Sequence, residues 1–227
     1  MQWRALASLA LPAALLAPHA AQAAGGPHVI DDSEVETPGD CHLETWLTLS
    51  SEDARHANLG IGCTLEALPM VELGAAVSHM WAPGSDETMI GLAPKLMLQS
   101  HEEGIGVAVS GSLTYSTDRS RIESAGLIGA VTVPASPGLL INLNAGWTWS
   151  EADPASDFFA GVQAELGVGS GVTLMAEGFA RDEGRAGGQA GLRWTTASGR
   201  VDIDLLAGRY LDGATPTSVT AGVTVRW

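Results

Sequence analysis

Six charged side chains in the C-terminal third of the chain could line a solute pathway. Each lies on the polar phase of a segment in which apolar and polar residues alternate: Glu165, Glu177, Arg193, Asp202, Asp204 and Arg226. If these segments surround water, such a lining selects polar or cationic solutes. The same residues equally fit a set of salt bridges that closes the interior. The sequence leaves both interpretations open.

The sequence contains no grouping of side chains that indicates catalysis. Ser78 and His79 are neighbours, as are Ser100 and His101. In an extended segment, neighbouring side chains point to opposite faces, whereas a nucleophile needs its base within hydrogen-bond reach. We therefore expect no catalytic residue and no enzyme.

Metal binding is not indicated either. Five histidines beyond residue 24 lack the spacing of a metal motif: His28, His42, His56, His79 and His101. We expect no bound metal and no cofactor.

The two cysteines, Cys41 and Cys63, predict a disulfide. If the chain turns near 51–56, they lie almost opposite each other on one face of a hairpin. A bridge requires Cα atoms within about 7 Å, so its formation depends on register. The alternative is a pair of free thiols, and in either case their role is structural.

Period-two alternation bounded by turn residues predicts the elements that position these side chains. The expected strands are 42–50, 57–65, 70–79, 88–99, 105–115, 122–133, 139–149, 158–168, 172–181, 187–196, 200–210 and 217–227. Their even number and their length match strands that cross a bilayer, which need roughly 9–11 residues. We predict an all-β fold, a transmembrane antiparallel up-and-down β-barrel of about twelve strands.

The predicted faces and connections agree with a barrel in a membrane. Connections such as 80–87 and 150–157 are long and become outer loops, whereas 169–171 and 197–199 are short periplasmic turns. The outward phase carries aromatic residues at two levels, Trp81, Tyr115, Trp149 and Phe158 at the outer ends and Trp194 and Trp227 at the periplasmic ends. Two aromatic girdles mark the two membrane–water interfaces.

The N-terminal segment divides into a leader and an arm. Arg4, an Ala- and Leu-rich run and Ala21-Gln22-Ala23 predict a cleaved signal peptide over 1–23. Residues 24–41 show no periodicity and form either a periplasmic arm or a plug, and 42–227 form the barrel. Loss of Arg4 takes the net charge from −15 to −16, which argues against nucleic acid as a partner.

The start of this arm resembles a known family. Gly26-Pro27-His28-Val29-Ile30-Asp31-Asp32, then Glu34, Pro38-Gly39 and Glu44, is similar to the opening of outer-membrane barrels grouped with the meta-pathway phenol-degradation proteins. The resemblance covers about twenty residues and the barrel pattern. It implies uptake of small, often apolar molecules, and it assigns no ligand residues beyond the Asp31-Asp32 pair.

The sequence therefore predicts a non-enzymatic channel or transporter in a bacterial outer membrane. Its cargo is a small molecule, for which apolar and aromatic compounds are the first candidates. The expected partners are outer-membrane lipid, lipopolysaccharide and the barrel-assembly machinery, which would bind the strand ending in Trp227. The alternatives are a structural or adhesion barrel with a plugged lumen and a barrel enzyme.

Overall fold

The computed structural model of the protein describes residues 27–51, 53–151, 156–181, 186–210 and 217–227. The predicted leader, 1–23, and residues 24–26 of the predicted arm lie outside these ranges. The described residues form twelve strands: β1 Cys41–Ser50, β2 Arg55–Thr64, β3 Val71–Ala82, β4 Ser85–Gln99, β5 Gly106–Ser116, β6 Arg121–Ser136, β7 Leu139–Ser150, β8 Ser156–Gly169, β9 Val172–Arg181, β10 Ala186–Thr195, β11 Val201–Tyr210 and β12 Ser218–Arg226. A single 3-10 turn, His101–Glu103, follows β4. None of the helical structure in these ranges is long and apolar enough to cross a membrane.

The twelve strands close into one barrel in chain order. Each strand pairs antiparallel with its sequence neighbours, and β1 pairs with β12 from His42↔Arg226 to Ser50↔Ser218. Closure removes the free sheet edges that a lipid environment cannot satisfy. The prediction of an antiparallel barrel of about twelve strands is confirmed.

The two faces of the sheet have the reverse polarity of a soluble barrel. Large apolar side chains on the outer face are exposed, with Leu127 at 60% and Trp147 at 62%. Inner-face polar side chains such as Asn142 and Gln163 are fully buried. Alternate residues of a strand point to opposite faces, so one sequence period places an apolar belt outside and a polar lining inside.

The prediction of a long outer loop between β3 and β4 is wrong. In place of a loop over 80–87, β3 and β4 extend until only Pro83 and Gly84 join them. Gly84 has a φ of 82°, a left-handed conformation that favours glycine. At the opposite end, β2 and β3 are separated by residues 65–70, so the two ends differ less in loop length than predicted. We call the end where Cys41 and Trp227 lie the terminal end, and the opposite end the distal end.

The ladder between β4 and β5 shifts register between Met97 and Gln99 and is also interrupted elsewhere along β4. Leu92↔Leu113 and Lys95↔Ser110 are in the same register, but Ala93 and Pro94 have no β5 partners in the ladder. Proline lacks the N–H that a ladder hydrogen bond requires. Pro94 keeps its partner Leu73 on β3, so the interruption lies on the β5 side alone.

Candidate functional site: the lumen and the N-terminal arm

Residues 27–40, which we call the arm, run inside the barrel. The arm forms no strand, so its backbone groups need partners other than a ladder. Inward-facing side chains supply them: the amide of Val29 donates to Glu177 (2.9 Å), that of Asp31 to Asn144 (2.8 Å) and that of Ser33 to Thr132 (2.9 Å). At the inner end of the arm, Gln189 Nε2 donates to the carbonyl of Pro27 (2.9 Å). Polar side chains of the lumen therefore bind the arm backbone at several positions along its length.

A buried lysine anchors the middle of the arm. Lys95 Nζ lies 2.9 Å from Asp31 Oδ1 and 3.0 Å from Asp32 Oδ1. Lys95 on β4 is the single lysine of the chain and is only 7% exposed. An unpaired ammonium group at such a site is costly, and the two arm carboxylates provide the compensating charge.

A second anchor joins the arm to β12 near the terminal end. Arg226 Nε lies 2.9 Å from Glu36 Oε1, and Arg226 Nη1 lies 2.7 Å from Asp202 Oδ2. His42 Nδ1 lies 3.1 Å from the same Oε1 of Glu36. Glu36 thus links the arm to the first and last strands, where the barrel closes.

A third anchor lies in the turn after β4. Glu34 Oε1 accepts from the backbone amide of His101 and lies 2.7 Å from His101 Nδ1, while Ser100 Oγ donates to Glu34 Oε2 (3.0 Å). The hydrogen bond that His101 makes to the Glu34 carboxylate raises the pKa of His101, although burial opposes this shift. Burial also disfavours the charge of Glu34, but the hydrogen bonds from His101 outweigh it and lower the pKa of Glu34. Ser100 donates to Glu34 and not to the imidazole, so this group is not arranged as a nucleophile with its base.

Ile30 is the apolar contact of the arm. Its side chain is fully buried against Phe159 and Phe179, with Val29 and Ile128 packed beside them. The backbone at Gly161 approaches this side chain so closely that a Cβ there would collide with Cδ1 of Ile30. Glycine at 161 therefore makes room for the arm in the wall of the barrel.

The structure places all six predicted lumen residues on the inner face, but it engages them in fixed contacts. Arg193 Nε lies 2.8 Å from Asp204 Oδ1. Asn142 Nδ2 donates to Glu165 (2.6 Å), and Thr195 Oγ1 donates to Asp202 (2.7 Å). Glu177 and Arg226 contact the arm directly. These residues therefore belong to a polar network, and Arg226 also borders the open space beside the arm.

The other predicted residues have these positions. Cys41 and Cys63 are Cα partners in the β1–β2 ladder and form a disulfide. Five of the predicted girdle residues are exposed and Trp149 is partly exposed; the exposed five are Trp81, Tyr115, Phe158, Trp194 and Trp227. Trp147, which was not predicted for the girdle, packs edge-to-face on Phe158 with ring centroids 5.4 Å apart.

The arm leaves a cavity of about 340 Å³ on one side of the lumen. On the side of β2 to β5 its wall consists mainly of small side chains, including Gly60, Gly62, Gly74, Ala76, Ala93, Ser110 and Ser112. Glu44 and Glu72 lie on the same wall, and Asp31, Glu34 and Glu36 of the arm face it. The lumen therefore has open space beside the arm, reaching as far as Ile128, Asn144 and Phe159, and a filled region against β9 to β11.

Sequence reasoning missed the arm anchors. Lys95 carried a signal, since it is the only lysine and lies on the inward phase of β4, and the acidic pair Asp31-Asp32 had no assigned partner. Glu36 and Arg226 are separated by 190 residues, and nothing in the sequence relates an aperiodic segment to one position on the last strand. Ile30 was missed because a single apolar residue carries no periodicity.

The closed sheet, the apolar outer belt and the polar lumen define the class as a transmembrane β-barrel of the outer-membrane type. Within this class, the family model described as uncharacterised conserved protein UCP029691 matches residues 12–227, and the chain belongs to that family. No curated protein matches the sequence significantly.

Three solved structures illustrate the likeness of fold. The COG4313 outer membrane channel from Pseudomonas putida F1 has 11% identity and a TM-score of 0.71, covering 86% of this chain and 98% of that one. KdgM porin has 9% identity and a TM-score of 0.66, covering 81% and 98%. Outer membrane phospholipase A from Escherichia coli has 12% identity and a TM-score of 0.51, covering 83% and 93%.

At these identities the likeness establishes the fold alone, and both channels and an enzyme share it. The comparisons support an outer-membrane barrel family. The resemblance of the arm to the meta-pathway phenol-degradation barrels stays a prediction.

Proposed function

We propose that the protein is an outer-membrane channel through which a small molecule diffuses past the arm. The observation that carries this proposal is the cavity beside the arm, where glycine, alanine and serine residues of β2 to β5 leave room for a solute. The structural neighbours named as porins or channels support the same role. No energy source is needed, because the solute moves down its concentration gradient.

The arm sets how wide the pathway is. It is held by side-chain contacts and hydrogen bonds and not by strand pairing, so it can withdraw without opening the barrel wall. With the arm in place the pathway is the cavity alone. With the arm withdrawn, the space it occupies joins the cavity. The arm is therefore the element that would regulate passage.

We place the barrel in a bacterial outer membrane after cleavage of the leader, with the terminal end in the periplasm. The apolar belt would contact lipid and, in the outer leaflet, lipopolysaccharide. The strand ending in Trp227 would be the segment that the barrel-assembly machinery binds. The resemblance of the arm sequence favours a small, apolar or aromatic cargo.

A structural barrel with a closed lumen is the alternative, and the polar network among inner-face side chains of β7, β8, β10 and β11 favours it. Leakage of a small neutral sugar from proteoliposomes separates the two functions. The informative variant is Asp31→Asn with Asp32→Asn, which removes both carboxylates from Lys95. The matched control is Glu102→Asn with Glu103→Asn in the terminal-end turn, which makes the same change of charge.

We expect slow leakage from the parent and the control, and leakage at least fivefold faster from the arm variant. Equal leakage from all three would mean that the arm does not limit passage. If neither the parent nor the arm variant leaks, the channel function is wrong and the structural function stands.

A further inference from the structure

The contact of Ile30 with the barrel differs in chemistry from the other arm contacts. Most of the described lumen side chains that touch the arm are polar or charged, whereas Ile30 enters a group of apolar residues. We call this group, formed by Ile128, Phe159, Gly161 and Phe179, the Ile30 socket. Two aromatic rings there provide an apolar surface inside a polar lumen.

The socket is shaped for a group that reaches the backbone of the barrel wall. Its floor is the backbone at Gly161, where any Cβ would overlap Cδ1 of Ile30. Above the floor, Phe159 and Phe179 are almost completely buried. Arg181 lies with its guanidinium carbon 5.2 Å from the centroid of the Phe159 ring, which helps to fix that ring. The socket therefore keeps its walls if Ile30 leaves.

An apolar socket emptied in this way would favour an apolar occupant. Aliphatic and aromatic side chains offer water no hydrogen-bond partners, so an apolar, benzene-sized molecule can replace water against them. Ile128 and Phe159 also line the cavity beside the arm, so a free molecule can reach the socket from there. Ile30 occupies the socket as part of the chain, so it acts as a tethered competitor for any free ligand of the same chemistry.

Occupation of the socket is coupled to the anchors of the arm. The amides of Val29 and Ile30 donate to the two carboxylate oxygens of Glu177 (2.9 and 3.2 Å). The next residue, Asp31, is paired with Lys95. Because these contacts belong to consecutive residues, displacement of the Ile30 side chain also strains the anchors on both sides of it.

We propose that the Ile30 socket is a binding site for a small apolar molecule, and that this ligand competes with Ile30 and so withdraws the arm. The inference rests on the proposed function and deepens it, since it names the ligand class and the place where the ligand opens the pathway. A polar solute of similar size has no advantage over Ile30 and leaves the arm in place.

The test measures saturable binding of deuterated benzene to the full-length mature protein in nanodiscs, by equilibrium dialysis against empty nanodiscs. Ile30→Ser removes the competitor and should strengthen binding at least tenfold over the parent. Val35→Ser makes the same kind of change on the arm outside the socket, so it should bind within twofold of the parent. Adding Gly161→Ala to Ile30→Ser fills the floor of the socket and should weaken binding at least fivefold relative to Ile30→Ser.

Three outcomes would overturn the proposal. One is equal binding by the parent and by Ile30→Ser, since benzene would then not compete with the arm. The second is equal binding with and without Gly161→Ala, since benzene would then bind elsewhere. The third is no binding beyond that of empty nanodiscs in any variant. Sugar leakage, measured on the same preparations, reports separately whether the channel function holds.

Discussion

Lys95 on β4 and Asp32 in the arm form a buried ion pair with 3.0 Å between Nζ and Oδ1. The pair joins an aperiodic segment to the barrel wall, and Asp31 contributes a second carboxylate to the same ammonium group. Because the chain has no other lysine, the chemical reactivity of this one side chain reports the position of the arm.

Amine modification of Lys95 should therefore measure arm withdrawal. With sulfo-NHS acetate, we expect slow acetylation of Lys95 in the parent, because the ammonium group is buried between two carboxylates. Asp31→Asn with Asp32→Asn should accelerate it at least tenfold, as followed by mass spectrometry of the peptide containing residue 95. Unchanged kinetics would show that the two carboxylates do not hold the arm over Lys95.

The anchor between Glu34 and His101 predicts a pH dependence of passage. The pKa of His101 is raised. Its stabilisation of the anchor is therefore complete below the ordinary pKa of 6.5 and is lost as the pH rises through the raised pKa. The pKa of Glu34 is lowered. Its stabilisation of the anchor is therefore complete above the ordinary pKa of 4.5 and is lost as the pH falls through the lowered pKa. The anchor is strongest between these two ordinary values, and sugar leakage should increase when the pH rises from 6 to 9.

A His101→Gln variant separates this anchor from His28, a histidine on the arm itself. Burial disfavours the charge of His28, but the carboxylates of Asp204 and Glu177 outweigh this and raise the pKa of His28. Loss of the charge of His28 at high pH should therefore increase leakage, as loss of the charge of His101 does. His101→Gln should reduce the pH dependence, and adding His28→Gln should reduce it further. A profile identical to that of the parent would exclude His101 as a pH-sensitive anchor.

Arg193 should matter for stability more than for the arm. Its guanidinium group makes two hydrogen bonds to Asp204, of 2.8 and 3.1 Å, inside the β10–β11 wall. Arg193→Gln leaves buried carboxylates uncompensated and should lower the free energy of unfolding by about 3–5 kcal/mol. Arg193→Gln with Asp204→Asn should lose less than the single variant, in urea unfolding followed by tryptophan fluorescence. A larger loss in the double variant would contradict this assignment.

Restoring the missing ladder bond should stabilise the barrel. Pro94→Val supplies an N–H toward β5 and keeps an apolar side chain on the outer face, so the free energy of unfolding should rise by about 1 kcal/mol. Pro134→Val is the matched control, because Pro134 already has its ladder partner Leu140. An equal gain in both variants would attribute the effect to loss of proline in general and not to the β4–β5 interruption.

The fold was predictable because lipid and lumen impose opposite polarity on alternate residues. Along β12, for example, Val219, Val223 and Val225 face outward while Thr220 and Thr224 are buried inside. The hairpin around Pro83–Gly84 was not predicted, because Ser85, Asp86 and Glu87 are typical of a loop. In the structure these three residues belong to β4 and pair with Met80, Trp81 and Ala82 of β3. The turn itself is only two residues long, so the sequence gives little sign that the strands continue on both sides of it.

The alternation of residues along each strand predicts that the charged residues lie on the inner face. It does not predict which side chains they pair with. Arg226 pairs with Asp202 on the neighbouring strand, but its second carboxylate, Glu36, belongs to a segment with no periodicity. Lys95 follows Pro94, a residue that argues against a central strand and so obscures the phase of its neighbour. The path of the arm is a tertiary property, and local sequence patterns do not contain it.

The depth of Pro27 has a practical consequence for anyone who expresses this protein. The carbonyl of Pro27 accepts a hydrogen bond from Gln189 on the inner face of the barrel. Any segment fused N-terminal to Pro27 would therefore join the chain inside the lumen. An affinity tag at that end would have to share the lumen, leave through the distal mouth or drag the arm out. A purification handle inserted in a distal-end turn avoids all three.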